Sequence, residues 1–212
     1  VGKDMWYCDP TDGEKYAMGV DVAHGTGKDY SAITVVSTTT LQPVYHYRCN
    51  TILPATFADK VWDIYWTFNE PYTIVEANGP GSLVIHRLEE FGTHNLYKSD
   101  KGKDWHTRKE NKLAIYDNLR ELICEGNIRV LEEKLWSEIR NTLTNEGGAP
   151  HHPKGQNDDM LVSFALALWG AKLNPAPSIY GVRVALMDDF IMKTKAKRIR
   201  ANGPLPFRRR GQ

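Results

Sequence analysis

The sequence lacks the features of several broad protein classes. It has no run of 18 apolar residues that would make a membrane-spanning helix. No charged-then-apolar leader reads as a signal peptide. Only three cysteines occur, Cys8, Cys49 and Cys124. Their number is odd and their spacing fits no metal-ligand pattern, which reads as free thiols in a reducing compartment. There are no internal repeats. The stretch GTGKDYS (25–31) resembles a phosphate-binding loop, but that motif puts glycine five residues before the GK glycine and Ser or Thr after the lysine. Those positions hold Val22 and Asp29, and a carboxylate there would repel a phosphate.

Net charge is also nearly absent, at +1, but that balance hides an asymmetry. Residues 172–212 carry ten Lys/Arg and two Asp, a local +8, while the rest carries 17 basic and 24 acidic residues. Such a basic tail suits nucleic acid or an acidic partner, and equally a solubilising extension. With 212 residues, 41% of them hydrophobic, the chain suffices for one domain with a real core plus appendages. It opens on Val1 rather than Met, as a piece of a longer protein would.

Three boundaries follow from composition. Residues 1–15 are turn-rich and read as a lead-in linker. Residues 16–173 hold the periodic segments, and 174–212 form the basic tail after NPAP. Strands are expected at 16–23, 30–38 and 43–50, as an antiparallel meander, then at 72–78 and, briefly, 127–130. Helices are expected at 53–69, 79–92, 113–126, 131–143 and 158–173, the last apolar all round and hence buried. Gly92 and Gly126 read as helix stops. Three strands followed by alternating helices and strands imply an α/β fold with a mixed central sheet flanked by helices, in ribonuclease H-like order.

Four carboxylates stand out. On the first strand Ala17, Gly19, Asp21 and Ala23 share one face and are small, leaving space around one acid. Glu76 ends an apolar strand, where α/β folds place ligands. Asp158 and Asp159 precede the buried helix. Each also has an ordinary reading: a turn bond for Asp21, a salt bridge or cap for Glu76, N-caps for the Asp pair. Converged, they would make an oxygen-rich site suited to Mg²⁺ or Mn²⁺.

The ordered set GVDVAHGTGKDYSA, YTIVEANGPG, GKDWHTRKENKLAIYDNLRELICEGNIRV, LWSEI and NDDMLVSFALAL resembles the nuclease domain of tailed-phage terminase large subunits, over about residues 16–173. The resemblance implies a ribonuclease H-like fold and a metal-dependent endonuclease cutting concatemeric viral DNA during packaging, with two Mg²⁺ or Mn²⁺ ions. It implies metal binding by Asp21, Glu76, Asp158 and Asp159, and a supporting role for Asp29. It also implies double-stranded DNA as substrate, portal protein and small terminase subunit as partners, no membrane, and the bacterial host cytoplasm as location. An ATPase domain would precede residue 1. The family often has His where Asn157 stands, so proton shuttling there is not expected, though Asn still suits a helix cap.

A basic segment, 98–112, holds six Lys/Arg against three acids. Lys101, Lys103, Arg108 and Lys109, together with Lys28 in the first turn, are candidate phosphate contacts; a solvated loop is the plain alternative. His151 and His152 read as surface residues. The remaining alternatives are another ribonuclease H-like nuclease, of resolvase or transposase type, or a non-catalytic module docking DNA or portal.

Overall fold

The computed structural model describes residues 2–144, 150–151, 153 and 157–176. Expectations for the rest of the tail and for His152 lie outside these residues, as does the side chain of His151.

The elements are β1 (Lys3–Trp6), β2 (Tyr16–Asp21), β3 (Ser31–Ser37), β4 (Pro43–Cys49), α1 (Pro54–Thr67), β5 (Tyr72–Val75), α2 (Gly81–Glu90), α3 (Lys109–Cys124), α4 (Glu133–Arg140), β6 (Leu143–Thr144), β7 (Pro150–His151) and α5 (Asp159–Leu173). One mixed five-stranded sheet runs β1-β4-β3-β2-β5, and β6 pairs with β7 apart from it. The expected meander is β2-β3-β4, antiparallel throughout. β5 pairs parallel with β2, with α1 in the crossover that a parallel pair needs.

Two expectations are corrected. Lys3–Trp6 does not belong to a linker; it is an edge strand antiparallel to β4. Its sequence hides this because only Met5 is buried. Residues 127–130 do not form a strand. The side chain of Gln42 takes the place of a ladder there: its amide donates to Asn127 O at 2.9 Å and its carbonyl accepts Arg129 N–H at 3.1 Å. The helices fall where expected, except that α3 starts four residues early. Arg108 N–H donates to Asn111 Oδ1 at 2.6 Å, which secures that first turn. Gly92 and Gly126 do stop α2 and α3. Both have positive φ, and Thr93 and Asn127 N–H each bond back to a carbonyl five residues earlier.

The two faces of the sheet carry different helices. Met18, Ile33 and Tyr45 point to the side covered by α1, where Phe57 and Phe68 meet Tyr47 and Tyr45. The opposite face carries Ala17, Gly19, Ala32, Thr34 and His46, and α5 lies on it across β2 and β3. The space expected beside the small residues of β2 is therefore filled by helix backbone. A Cβ on Gly19 would sit 2.0 Å from Ser163 O and 2.5 Å from Ala167 N, so only glycine permits this approach.

Candidate active site

The direction of α5 follows from its contacts with β2. Gly170 faces Ala17, whereas Gly19 faces Ser163 and Ala167. A two-residue step on a strand covers about 6.6 Å, which a helix spans in four to five residues of about 1.5 Å each. Asp21, one step beyond Gly19, therefore falls beside the first turn of α5, where Asp158 and Asp159 stand. Glu76 follows Val75, the register partner of Val20, and its N–H donates to Val20 O at 3.0 Å. It is thus next to Asp21 across one inter-strand spacing, on the same face. Two strand ends and one helix start converge here.

Electrostatics report the same convergence. The carboxyl of Asp21 is pushed well above the ordinary range, first by burial, then by the negative charges of Glu76, Asp159 and Asp158, with a hydrogen bond to Glu76 adding to the effect. Asp159 rises to about 6; burial is the main cause, opposed by the Tyr30 N–H and the Asn157 amide, and reinforced by Asp158 and Asp29. Burial and neighbouring negative charge thus raise the proton affinity of Asp21 and Asp159, and a cation at the site would oppose that rise.

The N-cap reading of the Asp pair does not hold. Asp158 occupies the N-cap position but makes no side-chain cap bond. Its Oδ2 instead accepts Lys112 Nζ at 3.1 Å and the Tyr116 hydroxyl at 3.2 Å. Asp159 Oδ2 accepts Tyr30 N–H at 3.0 Å and the Asn157 amide at 3.1 Å. Asn157, expected as a cap, donates to Lys28 O at 3.2 Å as well, tying the β2–β3 turn to the helix start. Part of the capping comes from another helix: the buried Glu138 of α4 accepts Leu161 N–H at 3.0 Å. Burial lifts Glu138 to about 7, against the pull of that N–H and of Lys134.

Sequence reasoning missed Tyr116 and Glu138. The signal for Glu138 was an acid flanked by Leu135 and Ile139 on the apolar side of α4. Tyr116 gave no signal beyond its place on α3. Its hydroxyl is pushed above its usual range by burial, and then by the charges of Asp158, Asp21 and Glu76.

The β2–β3 turn leads into a strand, not a helix, so the phosphate-loop reading of GTGKDYS fails on structure as well as on sequence. Asn50 pins the turn by accepting Gly27 N–H at 2.8 Å and donating to Gly27 O at 2.9 Å. Lys28 and Asp29 are exposed there. The basic segment is less loose than a solvated loop. Thr73 bridges to Leu96 and Glu76 to Trp105, so residues 95–105 run along the free edge of β5. Trp105 is buried, and Asn78 links Glu76 Oε1, at 3.0 Å, to Thr107 O, at 3.1 Å. Lys98 is engaged by Glu89 and Asp104, both at 2.5 Å. Lys101, Lys103, Arg108 and Lys109 remain exposed beside this edge.

The donor set is all oxygen and strongly anionic, which fits a hard divalent cation. It is not a finished shell: among the described residues, no group of three or more His, Cys, Asp or Glu side chains is set to hold a metal. Lys112 Nζ lies 3.1 Å from Asp158 Oδ2 and is a cation that faces the acids.

No family model and no curated protein sequence matches the chain. Solved structures do. The large terminase nuclease of thermophilic phage G20c superposes with a TM-score of 0.65 at 19% identity, covering 77% of this chain and 86% of that one. The same nuclease with bound magnesium gives 0.63 at 20% identity, over 78% and 86%. The HK97 bacteriophage large terminase gives 0.56 at 11% identity, covering 80% of this chain and 44% of that longer one. The chain thus has the ribonuclease H-like fold of bacteriophage large terminase nuclease domains.

Proposed function

We propose that this chain is the nuclease domain of a phage large terminase, a metal-dependent endonuclease cutting double-stranded viral DNA during packaging in the host cytoplasm. Portal protein and the small terminase subunit are its partners in the motor. The observation that carries the reading is the meeting of Asp21, Glu76, Asp158 and Asp159 at the ends of β2 and β5 and the start of α5. The G20c nuclease has been solved with cobalt, magnesium and zinc bound, which supports divalent ions here too.

Each residue has a task. Asp21 and Glu76, which share a hydrogen bond, would hold a divalent ion through their carboxylates. Tyr30 N–H and Asn157 hold Asp159 in place, and Tyr116 with Lys112 hold Asp158. Asp29 adds negative charge beside Asp159 in a supporting role. Two divalent ions held by these carboxylates would activate water and stabilise the leaving oxygen in phosphodiester hydrolysis. Lys28, Lys101, Lys103, Arg108 and Lys109 contact backbone phosphates, which positions DNA without reading its sequence.

The test is plasmid cleavage. With Mn²⁺ or Mg²⁺ the chain should convert supercoiled plasmid to nicked and linear forms, and a chelator should stop it. Asp21→Asn keeps the side-chain shape but removes the charge, and should lower the rate by at least about 10³-fold, roughly 4 kcal/mol of barrier. Undiminished cutting by that variant would remove the assignment. Absence of any chelator-sensitive cutting would favour a docking module instead.

A further inference from the structure

A polar cavity lies beside the acids, with a volume of about 340 Å³. Three cations line it: Lys28 from the β2–β3 turn, Arg48 from β4 and Lys134 from α4. Arg48 is stacked on the Tyr30 ring, its guanidinium carbon 4.4 Å from the centroid, so the fork is held rather than free. The one acid in the wall, Glu138, already accepts Leu161 N–H and lies 4.0 Å from Lys134. Positive charge therefore exceeds negative in a recess whose polar lining suits an oxyanion better than an apolar group.

Its position relative to the acids is fixed by strand register. Asp21 pairs with Ala32, and Ala32 pairs with Arg48, so the three form one row across the sheet on one face. Two inter-strand spacings put Arg48 about 10 Å from Asp21. The cavity and the acids also share walls: Tyr30 and Asn157 line the cavity and both donate to Asp159.

We infer that this cavity is an oxyanion pocket that seats a backbone phosphate of the DNA strand being cut, a short distance from the scissile bond. Seating that phosphate sets the register of the strand over the acids. Because Tyr30 and Asn157 hold Asp159, an occupied pocket also steadies a proposed metal ligand. The identity of the polymer rests on the nuclease reading; the oxyanion chemistry does not.

Inorganic phosphate and DNA offer the same chemistry, and two binding measurements in EDTA separate them. The first is the salt dependence of affinity for a 20-base-pair duplex, by fluorescence anisotropy, for the 212-residue chain and for Arg48→Gln/Lys134→Gln. One lost phosphate contact lowers the slope of log K against log salt by about 0.9. The double variant should therefore lose about one unit, not two, because both cations serve one phosphate. The second is phosphorus NMR titration with inorganic phosphate, which the wild-type chain should broaden more than the variant does. An unchanged duplex slope overturns the proposal, and if phosphate still binds, the pocket is a small-anion site. If Arg48→Gln does not fold, Lys28→Gln/Lys134→Gln replaces it, with the same expected loss and the same overturning result. Neither measurement needs cleavage. A chain that shows the pocket-dependent slope but never cuts DNA defeats the nuclease reading and leaves the pocket standing.

Discussion

Met18, Ile33 and Tyr45 present bulky side chains to α1 on one face of the sheet, and the gap between helix and strands is filled by aromatic rings. On the other face Ala17, Gly19 and Ala32 present almost nothing, and α5 comes down until its backbone touches the strand. The first face is held apart by volume, the second drawn close by its absence. That closeness has a chemical result. It sets the start of α5 level with the ends of β2 and β5, so acids from three elements meet. The polar interior follows the same division. His46 Nδ1 meets Thr34 Oγ1 at 2.8 Å, Thr34 meets Ser163 Oγ at 2.9 Å, and Ser163 donates to Met160 O at 2.9 Å. Burial alone lowers the His46 pKa to about 3, which keeps the ring neutral; Ser163 spends its proton on Met160 O, so Thr34 donates to Ser163 and His46 Nδ1–H to Thr34. On the aromatic face the polar chain is only part-buried: the Tyr45 hydroxyl and Lys60 Nζ both donate to Asp4 Oδ1, at 2.5 and 2.7 Å.

This contrast can be broken from either side. The largest effect on stability should come from truncating the aromatic face: Phe57→Ala removes a fully buried ring and should cost about 3–5 kcal/mol, read from the urea midpoint. On the α5 face the damaging change is the reverse, an added atom. Gly19→Ala forces a methyl into backbone and should cost about 3 kcal/mol, at the upper end for overpacking. If Gly19→Ala were neutral, the close approach of α5 would not be what sets the site.

A smaller effect concerns pH in the metal-free protein. Asp159 has its pKa raised to about 6 from 3.8, so its proton favours the folded state. That contribution is fully present below about pH 4 and is lost as pH rises through 6. Asp159→Asn, which stays neutral, should match wild type near pH 4. At pH 8 it should exceed wild type by about 2–3 kcal/mol, because each tenfold change in proton affinity is worth about 1.4 kcal/mol. Paired melts at the two pH values check this, and a constant difference would mean the acids are not crowded. Adding Mn²⁺ at pH 8 should narrow the gap by stabilising the wild type alone.

Much of this arrangement was legible in the sequence, for reasons that single residues make clear. β2 and β3 announce themselves through β-branched runs, and α5 through apolar residues on every side. Gly19 and Asp21 share a face because strands alternate. What escaped depends on contacts between distant segments. β1 buries one residue, too few for a periodic signal. Gln42 holds residues 127–129 from 85 positions away, replacing a strand that local composition favoured. The Asp pair looked like caps because Asp is a good cap. Only the tertiary structure shows Lys112, Tyr116, Tyr30 and Asn157 taking those carboxylates, while Glu138 caps from α4.

The most direct test of the central claim is a crystal of the chain soaked in Mn²⁺, with the ions located by anomalous scattering. The account predicts one or two ions within about 2.0–2.5 Å of oxygens from Asp21, Glu76 and at least one of Asp158 and Asp159, with Lys112 moved off Asp158. Ions bound elsewhere, or none at the ends of β2 and β5 at saturating Mn²⁺ and pH 8, would contradict it.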